Sequence, residues 1–179
     1  MRRTLEQAFN TLQAQVRAWA SGQARPDLRV FVYPPEWEAA VLAKWAHFAE
    51  ECASQGHPVE LEDVGQGFLI DIKRRHNLID RLETVNRDEM LHDLGYLASS
   101  YLRKALSQSL QQPAVCRILT NTGSIATFTS YSALANELAG TESETEIPAT
   151  VIAFPGEGDD RSLNMLGLRV DTNYRVPRV

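Results

Sequence analysis

Apolar residues in the first segment of the chain recur every three or four positions, which predicts an amphipathic helix. Thr4 and Gln7 have the spacing of a capping box, in which each side chain accepts a hydrogen bond from a backbone N–H of the first turn. Gly22 is the natural end of this helix, so residues 1–22 are predicted to form a helical leader. Its apolar stripe consists of Leu5, Phe9, Leu12, Val16 and Trp19.

Other segments are short and rich in β-branched and aromatic residues, which predicts strands over 28–33, 114–119 and 149–154. The last of these is almost wholly apolar and is therefore predicted to be central in a sheet. Residues 59–62 alternate apolar and acidic side chains, as a strand with one wet face does. Residues 173–177 are predicted to form a last strand. Pro177 has no N–H to donate, which confines this strand to a sheet edge or places Pro177 at the strand's end.

Helical spacing separates these strands. One helix is predicted between Pro35 and Gly56, a second from Phe68 to about Leu82, and further ones after Asn86 and after the turn at 120–124. The helix after Asn86 is predicted to bury Leu91, Leu94, Ala98, Leu102, Ala105 and Leu106.

The alternation of strands and helices predicts one α/β domain over residues 1–179. It would contain a mostly parallel, Rossmann-like sheet with helices on both faces, preceded by the helical leader. The polar segment 141–147 is predicted to be a flexible acidic loop, and 155–160 a second loop.

Composition excludes several protein classes. Hydrophobic residues make up 44% and charged residues 23% of the 179 positions, as in an ordinary soluble globule rather than a disordered, collagen-like or filamentous chain. No uncharged apolar stretch is long enough to span a membrane, and the basic start lacks the apolar segment of a secretory signal. Cys52 and Cys116 are therefore predicted to be buried, reduced thiols of a cytoplasmic protein.

The turn after the second strongly predicted strand is a possible anion cradle. Small hydroxyls and exposed amides at a strand-to-helix junction can bind phosphate, and this turn contains Asn121, Thr122, Gly123 and Ser124. It matches neither the Walker A spacing nor the Gly-rich dinucleotide motif. The commoner interpretation is a helix cap made by Thr122 or Ser124.

Two further loops follow predicted strands. Glu157, Asp159 and Asp160 could hold Mg²⁺ or Ca²⁺ through oxygen ligands, but their spacing fits neither an EF-hand nor a Walker B acid, and no metal or other cofactor is predicted. The loop with Tyr33, Pro35 and Glu36 combines a restricted backbone with an aromatic expected to be exposed, which suits contact with a partner.

No catalytic motif of the HExxH, GxSxG or CxxC kind is present, so a binding or structural protein is expected rather than an enzyme. The net charge of −5 disfavours binding to nucleic acid, which depends on Lys and Arg. The only dense basic run, at 73–75, is predicted to be a solvated helix face. A DNA-contacting subunit that uses this run with Arg2, Arg3 and Arg17 stays open as an alternative.

The end of the chain resembles the closing signature of the BrxB-like family, which is encoded in BREX and related bacteriophage-defence clusters. The resemblance is strongest from Phe154 to Arg175. The aromatic–Pro–acid turn at 33–36 and the strand entering the Thr-Gly turn at 118–124 occur in the same order as in the family. The residues that carry the closing signature are Val151, Ile152, Ala153, Phe154, Pro155, Gly156, Glu157, Asp159, Leu163, Leu166, Asp171, Asn173, Tyr174, Arg175 and Arg178.

The resemblance implies an accessory subunit that is needed for phage resistance, has no established catalytic activity and works beside larger proteins such as a PglZ-like protein. Gly158 and Asp160 depart from the family, which often has an aromatic and a glycine there, and the end lacks the usual doubled Tyr. A degenerate nucleotide- or phosphate-binding protein is the main alternative. Residues expected to bind the partner are Tyr33, Pro35, Glu36, Pro155, Gly156, Glu157, Asp159, Asn173, Tyr174 and Arg175.

Overall fold

A computed structural model describes residues 4–74, 86–126, 128–129, 148–158, 162–165 and 169–172. The helices are α1 (Leu5–Ala20), α2 (Glu38–Ser54), α3 (Val64–Arg74) and α4 (Arg87–Ser107), with short 3₁₀ turns at Pro35–Trp37 and Thr122–Ser124. The strands are β1 (Leu28–Tyr33), β2 (Val59–Asp63), β3 (Cys116–Thr120), β4 (Thr150–Pro155), β5 (Glu157–Gly158), β6 (Ser162–Met165) and β7 (Arg169–Thr172).

Helix α1 begins with the predicted capping box. The backbone N–H of Gln7 donates to the Thr4 hydroxyl at 3.2 Å, and the N–H of Thr4 donates to the Gln7 side chain at 2.9 Å. The chain leaves the helix through Gly22, whose φ of +71° is a conformation that glycine adopts without strain. The leader packs on its own domain, because Phe9, Leu12, Val16 and Trp19 are all buried.

The main sheet has four parallel strands in the order β1-β4-β3-β2. β4 is central, as its apolar sequence predicts, and all six of its residues are buried. The predicted α/β class, with a parallel sheet and helices on both faces, is confirmed. The three short strands β5, β6 and β7 form a separate antiparallel sheet that follows β4.

Alternate side chains of β1, β3 and β4 enter two different cores. On one face Phe31, Ile118 and Val151 pack with α1 and α2. On the other face Ile152 and Phe154 pack with α3 and α4. Because successive side chains of these strands point to opposite faces, the sheet has apolar side chains on both faces. Helices must therefore cover each face to exclude water. No helix in the described part of the chain is long and apolar enough to cross a membrane.

Both cysteines lie in the core beneath α1 and α2, as free and buried thiols. Burial raises the pKa of Cys52 to about 11, and that of Cys116 to about 12, with smaller contributions from Glu51 and from Cys52 and Glu60 respectively. The thiolate is the reactive form, so both groups should be inert at neutral pH in the folded protein.

We expect neither cysteine of the folded protein to react with a water-soluble aromatic disulfide reagent at pH 8, whereas both react after unfolding in guanidinium. The pKa values of both thiols in the folded protein lie above the usual value of about 8.5 for a cysteine. The free energy of unfolding should therefore fall as pH rises from about 8.5 through the folded pKa values, because over that range only the unfolded chain can ionise its thiols. Fast labelling of either cysteine in the native protein would contradict this burial.

Helix α3 begins four residues earlier than predicted. Asp63 Oδ1 accepts a hydrogen bond from the Gln66 backbone N–H at 2.8 Å, so Asp63 acts as a cap at the end of β2. Gly65 and Gly67 argue against helix in the sequence, but both allow neighbouring side chains to approach closely. The remainder of the predicted 68–82 helix lies beyond Arg74, outside the described residues.

Several other expectations change. Leu91 is 41% exposed, although the other five residues of its predicted stripe are buried or half-buried, so the stripe begins effectively at Leu94. The predicted loop at 155–160 starts instead with a strand, because Glu157 pairs with Asn164. The 120–124 turn leads into a 3₁₀ turn. Residues 125–126 and 128–129, where the next helix was predicted to begin, form turns and a bend rather than an α-helix. The remainder of that predicted helix, the acidic loop at 141–147 and the strand predicted at 173–177 lie outside the described residues.

Candidate functional site

The four parallel strands end at one edge of the sheet, which is where ligands and partners gather in open α/β folds. We call this the carboxyl edge and define it as residues 34–36, 63–67, 120–124 and 155–157. The register pairs Tyr33 with Pro155 and Asp63 with Thr120. The three loops singled out in the sequence therefore come together here, as far as they are described.

The corner between β1 and β4 is tightly connected. The backbone N–H of Gly156 donates to the carbonyl of Tyr33 at 2.8 Å, and Pro155 and Gly156 are both buried. Pro35 occupies the first position of its 3₁₀ turn, where a missing N–H costs nothing. The exposed side chains at this corner are Glu36 and Glu157.

Tyr33 does not offer the exposed aromatic expected from the sequence. Its side chain is 1% exposed and packs against Phe31, with ring centroids 5.8 Å apart, in the core beneath α1 and α2. Tyr33 has the same strand parity as Phe31, so it must point to the same core. Tyr33, Pro155 and Gly156 therefore position the loops, while Glu36 and Glu157 form the surface that a partner could touch.

The hydroxyl groups of the possible anion cradle are directed at protein carbonyls. The fully buried Thr122 donates to the Ala153 carbonyl of β4, and Ser124 donates to the Asn121 carbonyl at 2.7 Å. Asn121 itself is left-handed, with φ of 53°. Asn121 stands at the N-cap position of the 3₁₀ turn, and no side chain caps that turn. The longer helix that Thr122 or Ser124 was expected to cap extends beyond the described residues, so the helix-cap interpretation stays a prediction.

A carboxylate lies beside this turn. The Asn121 side-chain amide donates to Asp63 Oδ1 at 3.1 Å, and Asp63 is exposed. A Cβ added at Gly65 would lie 2.3 Å from Ser124 Oγ and 2.8 Å from Asn121 Nδ2, so the first turn of α3 is packed directly against the loop. The negative charge of Asp63 repels an anion at this position, and the geometry does not favour a phosphate cradle.

The other predicted partner residues are not among the described residues. Asp159, Asn173, Tyr174 and Arg175 lie outside the described residues, as does Asp160 of the considered metal site. Across the described ranges, no group of three His, Cys, Asp or Glu side chains has the geometry of a metal site. Of the three acids in that loop, Glu157 is the one among the described residues, and it is exposed.

A buried ionic network next to the edge was missed from the sequence. Arg117 of β3, with its side chain 4% exposed, pairs with Glu60 at 3.0 Å and with Glu62 at 3.5 Å. It also donates to the carbonyls of Ala105, Gln108 and Ser109 around the end of α4. The signal available was a single Arg inside an apolar strand, which requires buried acceptors.

The same network includes Tyr101 of α4. Its hydroxyl donates to Glu62 at 3.2 Å, and an added Cβ at Gly67 would lie 1.9 Å from the Tyr101 oxygen. Burial first, and then the nearby carboxylates of Glu62, Asp63 and Asp71, raise the pKa of Tyr101, so the phenol stays neutral. Its environment suits a structural hydrogen-bond donor.

Comparison of the chain with models of known families, with curated proteins and with solved structures found no match. What the chain does is therefore inferred from its own residues, their placement at the carboxyl edge, and the resemblance of residues 151–178. The edge brings together loops that are joined by hydrogen bonds and exposed acidic side chains.

Proposed function

We propose that the chain is a non-catalytic accessory subunit of a BREX-type or related bacteriophage-defence system, in which it acts as an adaptor in the cytoplasm. Its carboxyl edge docks a larger partner, such as a PglZ-like protein of the same gene cluster. The observation that supports this is the connection of the edge loops to one another by hydrogen bonds within the sheet. The resemblance of the closing segment supplies the defence context.

A rigid edge is advantageous for docking. Binding orders the loops and side chains at an interface, and each ordered group reduces affinity. Here the loops are ordered before binding: Gly156 is bonded to Tyr33, Thr122 to Ala153 and Asn121 to Asp63. Such an edge can present the same surface to each partner molecule without a folding step.

The charge of the edge indicates the chemistry of the partner. Glu36, Asp63 and Glu157 are exposed, and the four edge segments contain no Lys or Arg. A partner surface with cations is therefore complementary, and complementarity speeds association and excludes wrong partners. The same charges give little support to the phosphate-binding alternative.

The DNA-binding alternative also receives little support from the placement of cations. Arg17 lies on α1, which packs on one face of the sheet, and is bonded to Gln55 and Gln13. Lys73 and Arg74 lie on α3, which packs on the opposite face. These groups do not form one continuous basic surface, and Arg2 and Arg3 lie outside the described residues.

The paired substitution Glu36→Lys and Glu157→Lys is expected to weaken the complex with the PglZ-like protein by about tenfold or more, equivalent to about 1.4 kcal/mol. Both side chains are exposed, so the substitutions should leave the fold intact. The dissociation constant is measured by interferometry, in which the purified PglZ-like protein is titrated onto the wild-type chain or the variant at two salt concentrations.

Glu50→Lys is the matched control, because Glu50 is an exposed acid on α2 away from the edge. It should leave the affinity unchanged. A complex equally strong in all three proteins would exclude the edge as the interface. No complex between the wild-type chain and the PglZ-like protein would remove that partner from the proposal.

A further inference from the structure

Helix α3 carries a second stripe opposite the one it buries. Val64 and Phe68 point into the core between α3 and α4. On the outside, residues spaced three and four apart form an exposed surface that we call the α3 face. It consists of Gln66, Leu69, Ile70, Lys73 and Arg74.

The α3 face is unusual because its centre is aliphatic. Leu69 is 50% and Ile70 is 43% exposed, and they are adjacent in the chain. The helix does not need them for anchoring, since Val64 and Phe68 already bury its other side. Exposed aliphatic side chains on one helix surface that are bordered by polar residues are typical of interaction sites.

The charge next to these aliphatic residues is positive. Lys73 and Arg74 are both exposed, one turn beyond Leu69 and Ile70, and neither has an ion-pair partner among the residues that the structure describes. The two cations lie in the last turn of α3, where they favour the negative end of the helix dipole but keep their N–H donors available.

We infer that the α3 face docks an acidic amphipathic segment of a partner protein. The aliphatic side chains of that segment cover Leu69 and Ile70, and its carboxylates pair with Lys73 and Arg74. The charge complementarity specifies the partner: an apolar stripe at helical spacing followed by Asp or Glu within one turn. Arg74 can bind a carboxylate with two parallel hydrogen bonds, which adds orientation to the attraction.

A membrane surface fits this face less well. Two half-exposed aliphatic side chains and two cations give less anchoring than the lipid chain and basic cluster that stable attachment needs. Exposed Asp63 lies at the other end of the same helix, and the chain has a net charge of −5, so anionic lipid is repelled nearby. DNA phosphates would leave Leu69 and Ile70 with nothing apolar to contact.

This inference does not depend on the adaptor proposal. The carboxyl edge is acidic and selects cations, whereas the α3 face is basic and apolar and selects acids. The two surfaces share only Gln66, which none of the variants changes, so they can be tested separately.

The test is selection from a phage-displayed library of random 16-residue peptides on immobilised full-length protein. Selected peptides should carry aliphatic residues at helical spacing beside Asp or Glu. Synthetic copies should bind the wild-type chain at least about tenfold more tightly than the Leu69→Gln, Ile70→Gln double variant, or about 1.4 kcal/mol. Binding should also weaken as salt is raised.

Two further variants separate surface from fold. Leu42→Gln removes an aliphatic residue of comparable exposure (39%) from α2, on the opposite face of the sheet, and this variant should bind as the wild type does. Lys73→Glu with Arg74→Glu retains the aliphatic pair and should prefer peptides in which the acids are replaced by Lys. Equal binding to all variants, selection of peptides without acids, or co-sedimentation with vesicles of 30% phosphatidylserine that depends on Leu69 and Ile70 would overturn the inference.

Discussion

Replacing Arg117 by methionine is expected to lower the free energy of unfolding by about 3–5 kcal/mol, the range observed when one partner of a buried ion pair is removed. For a chain of 179 residues this corresponds to a melting temperature lower by about 6–20 °C. Urea denaturation followed by circular dichroism measures the free energy, and a thermal scan measures the midpoint.

The size of the effect follows from what Arg117 satisfies. The guanidinium pairs with Glu60, whose side chain is only 19% exposed, and donates to the carbonyls of Ala105, Gln108 and Ser109. Methionine fills a similar volume but donates no hydrogen bond. The carbonyls at the end of α4 and the Glu60 carboxylate would then be left without their main donor, and unsatisfied buried acceptors are costly.

Controls distinguish this network from charge removal in general. Arg29→Met breaks the pair between Arg29 and Asp27, whose side chains are 23% and 33% exposed, and should cost less than about 1 kcal/mol. Adding Glu60→Gln to Arg117→Met should recover part of the loss, because the carboxylate no longer needs a counter-charge. A loss for Arg117→Met as small as that of Arg29→Met would show that the network does not stabilise the fold.

Features that depend on neighbours in the sequence could be predicted. The capping box of α1 joins Thr4 to Gln7, and the Asn86 side chain accepts from the N–H groups of Asp88 and Glu89, as expected for a helix cap. The apolar run of β4 was sufficient to place it at the centre of the sheet. In each case the stabilising contact, or the lack of polar side chains, is visible within a few residues.

Features that depend on distant residues could not be predicted. Thr122 finds its acceptor at Ala153, 31 positions away, so nothing local showed that its hydroxyl is occupied. Gly65 is required because α3 packs on the loop with Ser124, which a local pattern does not reveal. The burial of Tyr33, in contrast, could have been predicted from the sequence. Tyr33 lies two residues after Phe31 in the same strand, so both side chains point to the same face of the sheet.

Replacing Phe9 by alanine is expected to cost about 3–5 kcal/mol, the usual loss for a buried aromatic residue that leaves a cavity. Phe9 joins the leader helix to the domain: its ring centroid lies 5.3 Å from that of Phe31, 4.9 Å from that of Trp45 and 5.5 Å from that of Phe48. The loss should appear as a lower urea midpoint with the slope of the transition unchanged.

The slope of the urea transition shows whether α1 unfolds together with the rest of the domain. If α1 folds with the sheet, Phe9→Ala destabilises the whole domain, and tryptophan fluorescence and circular dichroism report the same transition. If α1 instead detaches in the variant, the slope falls and the two probes separate. Tyr96→Ala is the matched control, because Tyr96 is an aromatic residue on a helix but is 73% exposed, and its loss should change stability by no more than about 0.5 kcal/mol. A Phe9→Ala protein as stable as the Tyr96→Ala protein would mean that the leader adds nothing to the fold, and that the sheet face it covers tolerates water.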